Sequence, residues 1–384
     1  MRVPSALVGP VVALSALLVS PRHVAAQDAR PGDLPRYQVD VVEWTTAGYY
    51  GYDINDGGQV ALPSTSPDVS FSNVARRWDP RDGFVTLAPE RSFATGINRA
   101  GDVTVVYEGG DYRSMSALWT ERDGLTDLGT IGRQTWAEDV NDHRVVVGWT
   151  ERDTDARERY AFRWTREGGL QTLPNLPGGP EQGDAFDVTN RGLIVGYSYG
   201  PDGQEAVRWV DGEVQGLGDL PGGRRESGAL SANERGQIVG AGHIAGDAAR
   251  AFLWSEEEGM VDLGALGPDH NSVAYDITDD GMVVGYSVPR PGGTSLAFTP
   301  FLWTEETGMV DVHTLLEGDA REWRLGALQM GRVNEHGQLL LHGALDDRFA
   351  VVVLTPVNNP EPGGFLAMAG ACGVLGLRRA RRVE

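Results

Sequence analysis

The chain has 384 residues and a formal net charge of −21, with 54 acidic against 33 basic side chains. So acidic a surface repels phosphate backbones and anionic headgroups, which excludes nucleic acid and anionic lipid as partners of the main domain. One cysteine, Cys372, excludes a disulfide framework, so stability must come from packing.

Residues 1–26 open the chain with Arg2, a mostly apolar run from Val3 to Ser20 broken by Pro4 and Pro10, and the small residues Val24-Ala25-Ala26 before Gln27. This is the pattern of a secretory signal peptide cut by signal peptidase after Ala26. An uncleaved anchor is the alternative, and the short, interrupted run fits it less well. Residues 27–36 carry no periodicity and lead into the fold.

From 37 to 356 the sequence repeats itself. The cleanest copy, Ala251 to Ser287, reads AFLWSEEEGMVDLGALGPDHNSVAYDITDDGMVVGYS. It holds four apolar runs of four to seven residues, each bounded by Gly, Pro, Asn or Asp, the pattern of four short strands. Between the third and fourth, Thr278 and Gly281 fit the first and last places of a type I turn. The frame recurs as Asn55/Gly58, Asn98/Gly101, Thr189/Gly192, Asn233/Gly236 and Asn334/Gly337, and at Asn141 with Arg144 in place of Gly. A tryptophan recurs as Trp78, Trp119, Trp164, Trp209, Trp254 and Trp303, with Leu354 in the last copy. These residues are expected to fill the layers between neighbouring units. One unit cannot bury both faces of its own sheet, so units must stack. The expected fold is all-β: a β-propeller of seven four-stranded blades. An open β-solenoid is the rival, though its rungs are usually shorter. Abundant Gly and the lack of a 3.6-residue period argue against helical repeats. Whether Tyr37 to Val42 joins the first unit or the last is open.

After Pro356 the composition changes. Pro360-Glu361-Pro362 is followed by the apolar run GGFLAMAGACGVLGL and then by Arg378, Arg379, Arg381 and Arg382. The run is about 15 residues, short of the roughly 20 that span a bilayer, and the arginines would stay cytoplasmic by the positive-inside rule.

Two resemblances follow from these residues. The phrases AFLW, VDLGALG, DITDDG and VVGYS resemble the extracellular HAF repeat family, although Tyr160 and Arg250 stand where that family has its histidine. Residues 357–384 resemble a PEP-CTERM sorting signal, with motif, short transmembrane helix and basic end in order. Together they imply a protein exported in a Gram-negative bacterium, held transiently in the inner membrane, processed by an exosortase, and left in the envelope or matrix. The repeat family supplies no catalytic residues.

Candidate chemistry is sparse. Gly196-Tyr197-Ser198-Tyr199-Gly200 matches G-x-S-x-G, but no helix follows it, and Tyr286-Ser287 holds the same place in another unit. Asp276-x-Thr278-x-Asp280 resembles the start of a calcium loop without the acidic twelfth ligand, so no cofactor is expected beyond incidental calcium. The seven histidines, His23, His143, His243, His270, His313, His336 and His342, show no zinc-protease spacing. Glu256 to Glu258 and Glu305-Glu306 fall in one repeated turn and are expected to be solvated. The expectation is therefore a non-catalytic protein for binding or display, with polysaccharide as a possible ligand through the exosortase resemblance. The alternative is a polysaccharide lyase or hydrolase acting from a central channel. The irregular last unit, with Arg321, Trp323, Arg324 and His342, is where its site would be sought.

Overall fold

The computed structural model describes residues 34–45, 53–65, 73–110, 113–152, 158–290, 298–326 and 331–357. The expected signal peptide with Val24, Ala26 and Gln27 lies outside them. So does the tail with Pro360, Glu361, Pro362, Arg378, Arg379, Arg381 and Arg382. Among the described residues no helix is long and apolar enough to cross a membrane.

Strand formation follows the repeat closely. In each unit an inner strand ends in the Asn or Thr turn and an apolar strand leaves it, reading Val-Val-Gly or Ile-Val-Gly in four of the seven; a strand carrying the tryptophan follows in all but the last, which has Leu354. A short outer strand of four residues ends most units, as at Gly124–Asp127 and Gly259–Asp262. Such short edges offer little template for pairing with another chain.

The glycine of the second strand has a steric cause. A side chain at Gly148 would meet the Trp136 carbonyl, and one at Gly196 the Asp184 carbonyl, both at 2.0 Å. The close approach accompanies a bulge in the inner strand, between Ala137 and Asp139 and again between Ala185 and Asp187. Each bulge adds a residue, Glu138 or Phe186, beside the carboxylate that follows it.

The inner strands Asp53–Ile54, Ser92–Ile97, Gln134–Val140, Gly183–Val188, Gly222–Ala232, His270–Ile277 and Arg332–Val333 pack in cyclic order, the last against the first. The sheets therefore surround a common axis. Ring closure uses the chain's first strand: Tyr37–Thr45 pairs antiparallel with Arg348–Pro356, Tyr37 opposite Pro356. That resolves the open question about Tyr37 to Val42, which belong to the last sheet.

The expectation of seven separate four-stranded blades is corrected by the pairing. Five sheets stand alone: four of four strands (53–90, 92–127, 134–172, 270–311) and one of five, which gains a strand from closure. Residues 183–262 form a single eight-stranded sheet. The link is one parallel bridge between Gln204 and Glu226. It forms because Gly203 lets the hairpin approach so closely that a Cβ there would lie 2.4 Å from the Arg225 carbonyl.

Core layers lie between neighbouring sheets. One contains Leu118, Ala137, Val146, Phe162 and Trp164; another contains Val195, Ala229, Ile238, Phe252 and Trp254. Trp209 is almost fully enclosed and donates from its indole to the Pro174 carbonyl at 2.7 Å. Trp119, Trp164 and Trp254 are buried, and Trp78 and Trp303 are partly exposed. Arg77 and Arg208 of the preceding units lie over the Trp119 and Trp254 rings, at 4.9 and 4.6 Å from the centroids. Arg208 also pairs with Glu256, so part of that acidic turn fastens one unit to the next.

Candidate functional site: the two ends of the axis

At the turn end, each hairpin is closed by a bond between its first and last residues, such as Gly58 N–H to Asn55 O at 2.9 Å. Arg144, at the place of the missing glycine, takes φ of 59° and makes the same bond to Asn141. The asparagine side chains then link turn to turn. Asn55 donates to the Asn98 carbonyl, Asn98 to Asn141, Asn141 to Thr189, Asn233 to Thr278, and Asn334 back to Asn55, all at 2.9–3.1 Å. A second, open chain of bonds runs through the next residues: Asp142 N–H donates to Asn190, Asn190 to Glu234, Glu234 to Asp279, Asp279 to Glu335, and Glu335 to Asp56. These residues line a cavity of about 540 Å3. Burial and the neighbouring Asp279, Asp56 and Asp280 push the Glu335 carboxyl up to about 7.

One level deeper, Asp53, Asp139, Asp187 and Asp276 reach across the junctions between units. They accept from the backbone N–H of Ile97, Val188, Ala232 and Val333 at 2.7–3.1 Å. Arg332 sits among them, with its Nε 4.0 Å from Asp53 Oδ1. Desolvation raises the Asp53, Asp139 and Asp276 carboxyls, with added repulsion from neighbouring aspartates. The Arg332 guanidinium opposes the rise at Asp53 and Asp276.

The opposite end is different in kind. Phe93 lies 6.0 Å from Trp136, and Trp136 stacks on Trp149 at 6.1 Å with planes 2° apart. Arg159 covers the Trp149 ring at 4.0 Å and reaches Asp184 Oδ2 at 3.4 Å. The Tyr197 hydroxyl donates to that same oxygen at 2.9 Å. Asp184 Oδ1 is buried with no hydrogen-bond partner, in a residue only 3% exposed. Glu138 comes from the bulge; desolvation and the charge of Asp184 push its carboxyl up to about 8. Phe93, Trp136, Phe186 and Tyr197 are partly exposed, so this surface is open to solvent.

No family model matches the chain, and no curated protein sequence matches it. Solved structures do. The β-propeller domain of the trilobed protease from Pyrococcus furiosus superposes with a TM-score of 0.52 at 12% identity, over 80% of this chain and 96% of that one. By fold, the chain is a β-propeller. The acylaminoacyl peptidase of Pyrococcus horikoshii aligns at 12% identity and TM-score 0.51, over 79% of this propeller. Puromycin hydrolase aligns at 13% and 0.50, over 82%. This propeller spans only 50% and 54% of those two longer chains. At such identities the likeness is one of fold. The Pyrococcus furiosus domain is described by an open velcro topology, whereas here the first strand pairs with the last along its length.

Among residues singled out from sequence, Ser198 is fully buried in a strand, accepts from Leu176 N–H at 3.1 Å, and serves packing. Ser287 does the same for Leu266 at 3.2 Å. Asp276 faces the axis and Asp280 is bonded by Thr278 in the turn. Among the described residues no group of three His, Cys, Asp or Glu is placed to hold a metal ion. In the last unit Arg321 bonds the Leu316 carbonyl, Trp323 stacks on Trp44, and Arg324 pairs with Asp347, each locally. The sequence pattern missed the aromatic end. The available signal was Glu138, an acid two places before the repeated turn residue's neighbour, where other units carry Phe186, Leu230 or Tyr275.

Proposed function

We propose that the chain is an exported, non-catalytic propeller of seven repeated units that binds a polysaccharide at the aromatic end of its channel. The observation that carries this is the convergence of Asp184, Glu138 and Arg159 on partly exposed Phe93 and Trp136. A few fixed polar groups beside aromatic faces are the makings of a ligand site. The count of seven rests on the repeated turns and on the closing bond from Asn334 to Asn55. Export, exosortase sorting and envelope or matrix location rest on the signal and tail motifs. Intact-mass analysis in an exosortase-bearing host tests that part: loss of residues after Pro362 is expected, and a retained tail would refute the sorting.

Binding is tested by affinity electrophoresis of the exported protein through gels containing different polysaccharides. At least one should retard the wild type, Phe93→Ala and Trp136→Ala should migrate freely, and Trp44→Ala should behave as wild type. No retardation in any gel would end the binding proposal. A second reading has its own support. Glu138, raised to about 8, and Asp184, held by Arg159 and Tyr197, are two carboxyls in unlike environments, as an acid–base pair would be. New reducing ends or unsaturated products from a retarding polysaccharide would establish the lyase or hydrolase instead.

A further inference from the structure

The place where the chain leaves the fold limits how the protein can stand at a membrane. Strand Leu339–Leu345 leaves the turn that Asn334 opens, and Leu339 stands opposite Leu354. Strand Arg348–Pro356 therefore runs from the aromatic end to the turn end, where Gln338 donates to Thr355 Oγ1 at 3.3 Å. The last described residue, Val357, donates its N–H to the Arg36 carbonyl at 2.8 Å. Arg36 donates to the Thr314 carbonyl at 2.9 Å, which ties the root of the tail to the fold at a second point.

Only residues 358–362 separate Val357 from the apolar run that begins at Gly363. Fully extended, so few residues reach at most about 20 Å. The nine residues of Arg348–Pro356 rise roughly 30 Å. With the aromatic end against a bilayer, the root would stand a strand's length above it, out of the tether's reach. The headgroup layer widens that gap, because the run must pass it to enter hydrocarbon.

Position around the axis adds to position along it. The inner strands Gln134–Val140 and Gly183–Val188 carry Trp136 and Asp184. In the cyclic order each stands three places from Arg332–Val333, one in either direction. The aromatic surface is thus across the ring from the root as well as at the other end, and tilting the propeller onto the edge of its last sheet does not bring that surface down. Charge supplies no competing attraction: at −21 the chain is repelled by anionic headgroups, so the tether alone sets the orientation.

On the sorting reading above, we infer that the membrane-held precursor stands with the corner around Val357 against the bilayer and its aromatic end facing away, open before the tail is cut. The test uses the exported precursor with its tail intact, made in a host without an exosortase. It is reconstituted into phosphatidylethanolamine–phosphatidylglycerol vesicles that carry an acceptor dye on their headgroups. Cys372→Ser removes the chain's one thiol. A donor dye is then placed through Thr314→Cys at the root or through Arg133→Cys at the aromatic end, both exposed positions. Arg133 lies just beyond the Gln134–Glu151 pair, its N–H bonded to the Glu151 carbonyl at 2.7 Å. Energy transfer from position 314 should exceed that from position 133 about twofold or more, since a strand's length separates them in height.

Equal or reversed transfer would overturn the orientation and leave the sorting reading standing. A chain ending at Pro362 should not float with the vesicles. If it floats, the fold itself adheres to lipid, and orientation by the tether is overturned. If the tailed precursor also fails to float, the tail is no anchor, and the orientation falls together with the sorting reading.

Discussion

The two ends of the axis are made from the same inner strands and obey different rules. At the turn end, asparagine side chains donate to the next turn's backbone carbonyl at five of the seven junctions, the closing one from Asn334 to Asn55 included. At the other end Asp184 keeps an unpaired oxygen, Glu138 puts a charge where no other unit has one, and tryptophans stack across a strand pair. Regularity marks the end that holds the ring together. The departures from it gather at the end whose aromatic rings are partly exposed, as expected if function is placed where local consistency is relaxed.

The largest effect should come from Arg332, between the two ends. Arg332→Ala would leave Asp53, Asp139, Asp187 and Asp276 without their central cation. The expected loss is about 3–5 kcal/mol by chemical denaturation, the range for breaking a buried ion pair from one side. A loss under about 1 kcal/mol would mean the aspartates are held neutral and need no counter-charge.

Next comes a direct comparison of the ends. Asn141→Ala removes a donor to Thr189 O and an acceptor for His143 and Val145 N–H in a buried turn. The expected cost is about 1–3 kcal/mol. Tyr197→Phe removes one bond to Asp184 at the open end and should cost about 1 kcal/mol or less, while weakening ligand binding. If the tyrosine variant proves the more destabilising, the aromatic end is structural.

Acidity sharpens the contrast further. Glu138, Asp53, Asp139 and Asp276 have carboxyls raised in the folded state, so the fold holds protons that the unfolded chain releases. Their contribution is full below the ordinary carboxylate range and is lost as pH rises, for Glu138 through about 8. Stability should therefore fall from pH 5 to pH 8. Glu138→Gln should flatten that slope by at most about 1.4 kcal/mol per pH unit, the limit for one proton. An unchanged slope in thermal melts would place Glu138 in water, outside the site.

The turn end was legible from sequence because its chemistry is local: Asn and Gly three residues apart specify a turn, and repetition specifies a ring. The tryptophan layers were legible for the same reason. The aromatic end was not. Phe93, Trp136, Arg159 and Asp184 meet through neighbouring sheets, and the bulge that delivers Glu138 is a product of strand pairing. The merger of residues 183–262 into one sheet was equally hidden, since it depends on a single close approach at Gly203. Of the last unit's odd residues that drew attention in the sequence, Trp323 stacks on Trp44 of the ring-closing strand, while Arg321 and Arg324 are engaged within the unit.

Arg144 gives the smallest and most discriminating prediction about that regularity. It takes the left-handed backbone that glycine occupies in the other turns, at φ of 59°. Such a conformation costs a non-glycine residue roughly 1 kcal/mol. The compensation is visible: its Nε lies 2.7 Å from Asp102, a buried carboxylate in the preceding unit's turn. Arg144→Gly would relieve the strain, break that pair and loosen the unfolded chain, so the terms nearly cancel. The expected change is within about 1 kcal/mol of zero. The double variant Arg144→Gly with Asp102→Asn separates the terms, because removing the charge at Asp102 removes the reason for the arginine. In that background the glycine should be tolerated better than in the wild type, by roughly the strength of a partly exposed ion pair, about 0.5–1 kcal/mol. A cycle with no coupling would show that the arginine is retained for something other than Asp102.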